Sequence, residues 1–267
     1  MTTAAPGPAG DNAFGDRVTE WIGVLGRLRD VVRQQVLRSQ VAGLPQVSCG
    51  PARILDIGCG QGTQALYLAR AGHDVTGLDS SGELLARFTG DLAREPAEVA
   101  ARVRLVRGPG ERAADLVSGP FDLIMCHGVL MYLSDPRPML SALSQLSKGG
   151  GALSLLVRNG LAPAMRDGLR GHWQAALRGF DTLEYANRLG LTAHAHTPAD
   201  LDLMLAPLGW ERRAWFGVRV FTDHLDRPAP GPDELPDLLA AEREAGRRDP
   251  YRSVAALLHL VYGRVEG

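Results

Sequence analysis

The stretch Leu55-Asp56-Ile57-Gly58-Cys59-Gly60-Gln61-Gly62 restricts the possible folds of this chain more than any other feature. A short apolar run of strand character, Arg53-Ile-Leu-Asp-Ile57, enters a turn with glycine at alternate positions, and a helical pattern starts at Thr63. Glycine lets the main chain bend tightly between strand and helix and leaves the backbone bare to a ligand. A second strand-like run, His73-Asp-Val-Thr-Gly-Leu78, ends at Asp79. That acid falls about twenty residues beyond the turn, where a carboxylate can accept both hydroxyls of a ribose. A glycine-rich turn alone is weak evidence, but strand, turn, helix, strand and acid together read as a nucleoside-binding unit.

The same rhythm continues downstream. Ser80 or Ser81 can cap a helix carrying Leu84, Leu85 and Phe88, with Glu83 in its first turn. Strands are expected over 103–106, 121–126 and 151–157, and a helix over 139–146. Alternating strands and helices predict a parallel sheet covered on both faces. Ahead of it, Trp21, Leu25, Leu28, Val32, Val36 and Leu37 recur at three- and four-residue steps, which predicts a helix over 17–40 within a helical cap over 15–50. Residues 1–14, rich in Pro, Gly, Ala and Thr, are expected to form a flexible tail. The rhythm stops over 159–200, which holds His172, Trp173, Phe180, Tyr185, His194 and His196 and reads as an inserted lid of helices and loops. It returns with a helix over 199–208, a strand over 210–221, an acidic helix over 233–246 and a strand over 257–265. The fold expected is α/β: a single doubly wound domain over 15–267, with a mostly parallel seven-stranded sheet and a helical insertion between its fifth and sixth strands.

A chain of 267 residues, 45% hydrophobic, can bury one large core, and a net charge of −1 gives no global basic field toward nucleic acid or anionic membrane. Cys49, Cys59 and Cys126 form no CxxC pair and no metal-ligand spacing, so no metal is expected. So sparse a set suits a reducing compartment. The first residues lack the pattern of a signal peptide, and no apolar run has bilayer-spanning length. A soluble, cytoplasmic protein without membrane contact is the expectation.

The turn is spaced G-x-G-x-G, with Thr63 where a dinucleotide fingerprint has its third small residue. This spacing resembles the first motif of class I methyltransferases, a likeness that implies S-adenosylmethionine, which has no phosphates, in place of a pyrophosphate-containing cofactor. A nicotinamide-dependent oxidoreductase and a non-catalytic cofactor-binding module remain the alternatives. Gly110 and Glu111 follow the third strand, where adenine would be flanked. His127 follows the fourth, at the carboxyl edge where ligands of such sheets bind.

The run Phe121-Asp-Leu-Ile-Met-Cys-His127-Gly-Val-Leu-Met-Tyr-Leu-Ser-Asp135-Pro136, with Gly209-Trp210 and Gly217-Val-Arg219-Val-Phe221-x-Asp223, resembles the bacterial methyltransferases that esterify the carboxylate of 5-carboxymethoxyuridine at the tRNA wobble position. The likeness covers about residues 20 to 265. It implies that the cofactor is held by Arg29, by Gly58 and Cys59 in the turn with Gly60 and Gly62, by Asp79, by Gly110 with Glu111, and by His127. It also implies a tRNA acceptor. Where that family carries a run of lysines suited to phosphates, the stretch 185–200 offers Arg188 as its one fixed positive charge. The acceptor therefore stays open between tRNA, a small carboxylic acid, and another small molecule methylated on O or N. A carboxylate is already ionised at pH 7 and needs no base. Its natural partner is a fixed guanidinium, and Arg158, leaving the fifth strand, and Arg219, within an apolar strand, are the candidates. An amine or phenol acceptor would call on His127, Tyr132 or a histidine of the insertion (His172, His194 or His196) as base.

Overall fold

In the computed structural model the described residues are 26–186 and 192–265. The expected tail, the start of the 17–40 helix with Trp21 and Leu25, and Arg188 lie outside them. Helix α1 (Leu28–Ala42) buries Leu28, Val32, Val36, Leu37 and Val41, the stripe that its apolar spacing dictates. Five parallel strands follow in the alternating pattern: β1 (Arg53–Ile57), β2 (Asp74–Asp79), β3 (Val103–Arg107), β4 (Phe121–His127) and β5 (Ser147–Arg158). Between them run α2 (Thr63–Arg70), α3 (Gly82–Leu92), for which Ser81 accepts the cap hydrogen bond from Leu84 N–H, and α4 (Arg137–Gln145).

The insertion then holds α5 (Met165–Leu169), α6 (Trp173–Arg178) and an antiparallel pair, β6 (Glu184–Ala186) and β7 (Thr192–His194). It is thus helical only in part. Both of its ends meet at one neck, where Gly160 N–H donates to His196 O at 2.9 Å and His196 N–H donates to Arg158 O at 3.0 Å. The Asn159 amide fixes that neck by donating to Ser253 O (2.9 Å) and Ala255 O (2.7 Å). After it come α7 (Pro198–Leu205), β8 (Trp210–Val218), α8 (Leu235–Arg247) and β9 (Leu257–Arg264).

The principal sheet has seven strands in the order β3-β2-β1-β4-β5-β9-β8, and β9 runs antiparallel to both of its neighbours. Its central strands are apolar on both faces, as a sheet covered by helices requires. One core layer joins the sheet to α1, α2, α3 and α8, the other to α4 and α7. Among the described residues no helix is long and apolar enough to cross a membrane.

Strand β8 corrects the expected 210–221 boundary, because it ends at Val218 and places Arg219 beyond the strand with φ of 61°. The reason is a competing anchor. The Glu242 carboxylate, buried on α8, accepts Val220 N–H (2.7 Å), Phe221 N–H (3.1 Å) and the Thr222 hydroxyl (2.7 Å), so these groups leave the ladder. Removing such an anchor strands buried donors. Glu242→Ala is expected to destabilise the protein by about 3 kcal/mol and Glu242→Gln by less, as read by urea denaturation.

Candidate functional site

The carboxyl ends of the parallel strands converge on the glycine turn. Gly58, Gly60 and Gly62 have φ of 66°, 56° and 82°, in the left-handed region that glycine enters without steric cost. Space is restricted there too: a Cβ at Gly58 would lie 2.3 Å from Val129 Cγ2, and one at Gly62 would lie 2.3 Å from the Phe88 ring. Gly58 N–H and Cys59 N–H both donate to Leu78 O, and Gly60 N–H donates to Asp79 Oδ2 at 2.8 Å. The other oxygen of Asp79 accepts Ser81 N–H at 2.8 Å. One carboxylate thus ties the β1 turn to the end of β2.

Burial raises the Asp79 carboxyl above its ordinary range despite these two donors. Asp56, buried beside it, is pushed from 3.8 to about 7, by burial first and by Asp79 second. Two desolvated acids make this end of the site receptive to a cation. Cys59 is buried, and desolvation followed by the charges of Asp56 and Asp79 raises its thiol well above the usual range, which keeps it un-ionised and unreactive. Gly110 packs against Ile57 and Met139, and Glu111 is exposed on the 3₁₀ turn Gly110–Arg112.

His127 ends β4 and starts a line of buried polar side chains. Its Nε2 lies 2.8 Å from Ser154 Oγ, that hydroxyl lies 2.7 Å from His259 Nε2, and His259 Nδ1 lies 2.8 Å from Gln40 Oε1. Burial holds His127 well below its usual pKa, with the charges of His259 and Arg33 adding to the effect, and burial takes His259 to about 3. Both rings are therefore neutral at pH 7. His127 Nδ1 is buried with no hydrogen-bond partner among the described residues.

A second cluster sits where β5 and β8 end. Asp223 is buried and faces Arg158 (Nη1 to Oδ2, 3.2 Å), Arg219 (Nη2 to Oδ1, 3.2 Å) and Arg166 of α5 (Nε to Oδ2, 3.9 Å). Burial opposes the ionisation of Asp223, but Arg219, Arg158 and Arg166 together hold its carboxyl below the usual range. Arg219 is itself lowered, by burial first. These residues, with Met165, Leu169 and His224, line a small cavity. The Tyr185 ring, on β6, lies 5.5 Å from the Arg158 guanidinium, and its hydroxyl contacts Met131 Sδ at 3.5 Å. Burial pushes that phenol up to about 12, and Tyr132 on the adjoining turn Leu130–Tyr132 is electrostatically coupled to it.

The structure therefore gathers Gly58, Cys59, Gly60, Gly62 and Asp79 at one turn beyond the ends of β1 and β2, and Arg158 and Arg219 around one acid. Arg29 is buried and reaches the 223–226 segment: Nη1 donates to Asp223 O at 3.2 Å, and Nη2 lies 3.9 Å from Asp226. That Nη2 makes no hydrogen bond among the described residues. Helix α1 reaches the turn further along, through Arg38, which donates to Thr63 O at 3.3 Å, and through Gln34, hydrogen-bonded to Gln64. Sequence reasoning missed Asp56, although it lies inside the quoted motif, and Asp223, although its spacing from Arg219 was visible. It also missed Tyr185 and Arg166, which carried no local signal. Among the described residues no group of His, Cys, Asp and Glu is placed to hold a metal ion.

Comparison with known proteins adds a chemical class. A methyltransferase domain matches residues 55–155. Over 240 residues the chain is 29% identical to the tRNA 5-carboxymethoxyuridine methyltransferase of Escherichia coli (strain K12), covering 88% of this chain and 87% of that one. The ubiquinone biosynthesis O-methyltransferase of Pectobacterium atrosepticum is 39% identical over 100 residues, 37% of this chain and 39% of the relative. Among solved structures, a methyltransferase from Streptomyces caelestis superposes with a TM-score of 0.61 at 18% identity, covering 95% of this chain and 96% of that one; the likeness there is one of fold.

The acid pair yields a pH signature. With its pKa raised on folding, Asp56 keeps a proton that the unfolded chain has already released. Its contribution to stability is therefore full below pH 3.8 and is lost as pH climbs to about 7. Asp56→Asn is expected to leave the melting temperature of the ligand-free protein little changed at pH 4 and to raise it at pH 8. A gain independent of pH would count against a raised Asp56.

Proposed function

We propose that a carboxylate is the methyl acceptor of this chain, which is an S-adenosylmethionine-dependent methyltransferase. When bound, the cofactor supplies a methyl group on a sulfonium, activated without help from the protein. The residues present fit it: the bare main chain of Gly58, Cys59, Gly60 and Gly62 for its body, Asp79 for the ribose, and Gly110 with Glu111 on the adenine side. Arg29 and His127 would serve the amino-acid portion, with Asp56 favouring the positive charge. The orphaned Nη2 of Arg29 and Nδ1 of His127 are the kind of buried polar atoms that a ligand satisfies.

The observation that carries the acceptor reading is the Asp223 cluster. Three guanidinium groups share one carboxylate, so the cavity between α5 and the end of β8 holds surplus positive charge out of water. A second anion relieves that surplus, and arginine's planar fork suits a carboxylate. His127 holds a proton poorly and Tyr185 stays protonated, so neither is poised as a general base, which fits an acceptor that needs none. The chain's work is then alignment and exclusion of water.

The Escherichia coli relative, named for 5-carboxymethoxyuridine in tRNA, supports the tRNA form of this acceptor. A small organic acid with an apolar body is favoured by a separate observation. On the insertion, Leu169, Trp173, Leu177 and Phe180 are exposed, Trp173 at 69% and Phe180 at 77%. Its four arginines, Arg166, Arg170, Arg178 and Arg188, are matched in number by Asp167, Asp181, Glu184 and Asp200. Such a surface offers no excess of positive charge to a phosphate backbone.

Arg219→Ala is expected to lower kcat/KM for the acceptor roughly 10- to 100-fold, the worth of a charge-assisted hydrogen bond, with the Kd for S-adenosylmethionine nearly unchanged. Kinetics and calorimetry read the two quantities separately, and equal loss of both would refute the assignment. Mass spectrometry of the methylated product, from 5-carboxymethoxyuridine tRNA and from a series of carboxylic acids, decides the acceptor. An alkali-labile methyl ester is the expected product, and methylation on nitrogen alone would overturn the carboxylate reading.

A further inference from the structure

The line of side chains from α1 to the end of β4 crosses the sheet through the neighbouring strands β9, β5 and β4. His259 and His127 both pair with Leu156 in the strand register, so their side chains share a face, and Ser154 lies two residues along β5 on that face. Phe216 stacks on His259 with ring centroids 5.8 Å apart, and the two histidine rings meet edge to face at 5.9 Å. Neither ring has freedom to turn away from its neighbours.

Donor and acceptor capacities then fix every proton in the line. Gln40 presents Oε1, an acceptor, so the hydrogen between it and His259 belongs to His259 Nδ1. A neutral imidazole carries one N–H, so His259 Nε2 is a bare lone pair and the Ser154 hydroxyl donates to it. Having spent its only hydrogen, Ser154 Oγ accepts from His127, whose proton sits on Nε2. Neutral His127 therefore leaves Nδ1 bare, and this is the atom that has no hydrogen-bond partner among the described residues.

We infer that Gln40, Ser154 and His259 are positioning residues, which hold His127 as the Nε2–H tautomer so that Nδ1 presents a hydrogen-bond acceptor to an ammonium donor of the bound ligand. The tautomer follows from the protein alone. Only the identity of the donor, the amino group of S-adenosylmethionine, rests on the cofactor reading above. A buried lone pair left bare is unfavourable, and an incoming N–H removes that cost, so the line contributes to ligand affinity although three of its four members never touch the ligand.

Long-range ¹H–¹⁵N correlation spectra of the ligand-free, ¹⁵N-labelled protein at pH 7 test the tautomer. His127 is expected to show a pyridine-like Nδ1 and a pyrrole-like Nε2, and His259 the reverse; an Nδ1-protonated His127 overturns the inference. Ser154→Ala is expected to mix the His127 tautomers and to weaken S-adenosylmethionine binding about tenfold, the worth of one hydrogen bond. Ser154→Thr, which keeps the hydroxyl, should restore both. Gln40→Leu, at the far end of the line, gives a second variant with the same expected loss should Ser154→Ala fail to fold. Methylthioadenosine, which lacks the ammonium group, should bind wild type and Ser154→Ala alike. A line that serves stability alone would lower the melting temperature and leave tautomer and affinity untouched, which also overturns the inference. Failure of the parent protein to bind S-adenosylmethionine would instead refute the cofactor reading and leave the spectrum to judge the tautomer.

Discussion

The hydrogen bonds that Asp79 accepts, from Gly60 on one side and Ser81 on the other, are the constraint on which the glycine turn depends. A buried carboxylate without donors is costly. Here it is supplied by two main-chain N–H groups, one from the turn after β1 and one just beyond β2, and in return it fixes where β1 ends relative to β2. The turn can comply only because its glycines tolerate positive φ and because Val129 and Phe88 already occupy the volume that a side chain at Gly58 or Gly62 would need. The glycine turn, the start of α2 and the start of α3 are thus consequences of one clamp.

Two further buried carboxylates show how the same group takes opposite tasks. Glu242 is satisfied by neutral donors, two main-chain amides and a hydroxyl, and serves as an anchor that bends the chain after β8. Asp223 is met by guanidinium groups that outnumber it. Burying several like charges around one acid repays its desolvation poorly, so stability alone does not account for the arrangement. Surplus charge in a cavity is more economically read as preparation for a counter-ion. The anchor and the cluster are linked, because Glu242 holds the segment that carries both Arg219 and Asp223.

Much of this was legible in the sequence where the information is local. The glycine turn, Asp79 and the parallel strands follow from period, turn chemistry and spacing over a few tens of residues. The edge of β8 was misplaced because Val220 and Phe221 look like strand residues. Their amides are captured by Glu242, some twenty residues away, and nothing at 219–221 announces it. The β6–β7 ribbon was hidden for a similar reason: its strands are three residues each, too short to print an alternation. Arg158 and Arg219 could be nominated singly, as charges at the ends of apolar strands. That they share Asp223, and that Arg166 joins them from an insertion with no strand–helix pattern, depends on chain segments far apart in sequence meeting at one sheet edge.

Taken together, the proposed site is divided by charge. Asp56 and Asp79 lie at the end that would receive a cation, the arginines lie where an anion would sit, and the histidine between them is neutral. Transfer of a methyl group from a sulfonium to a carboxylate destroys both charges, so an environment that stabilised the separated ions strongly would hold back the reaction. The structure moderates both ends. Asp56 ionises only near pH 7, so its attraction for a positive ligand is partial at neutral pH. Asp223 already neutralises part of the guanidinium charge, so a bound carboxylate would be oriented without being fully quenched. An uncompensated arginine trio would grip the acceptor more tightly and make it a poorer nucleophile. With the proposed carboxylate acceptor, the internal acid would let the same cluster select an anion and still release it as a neutral ester.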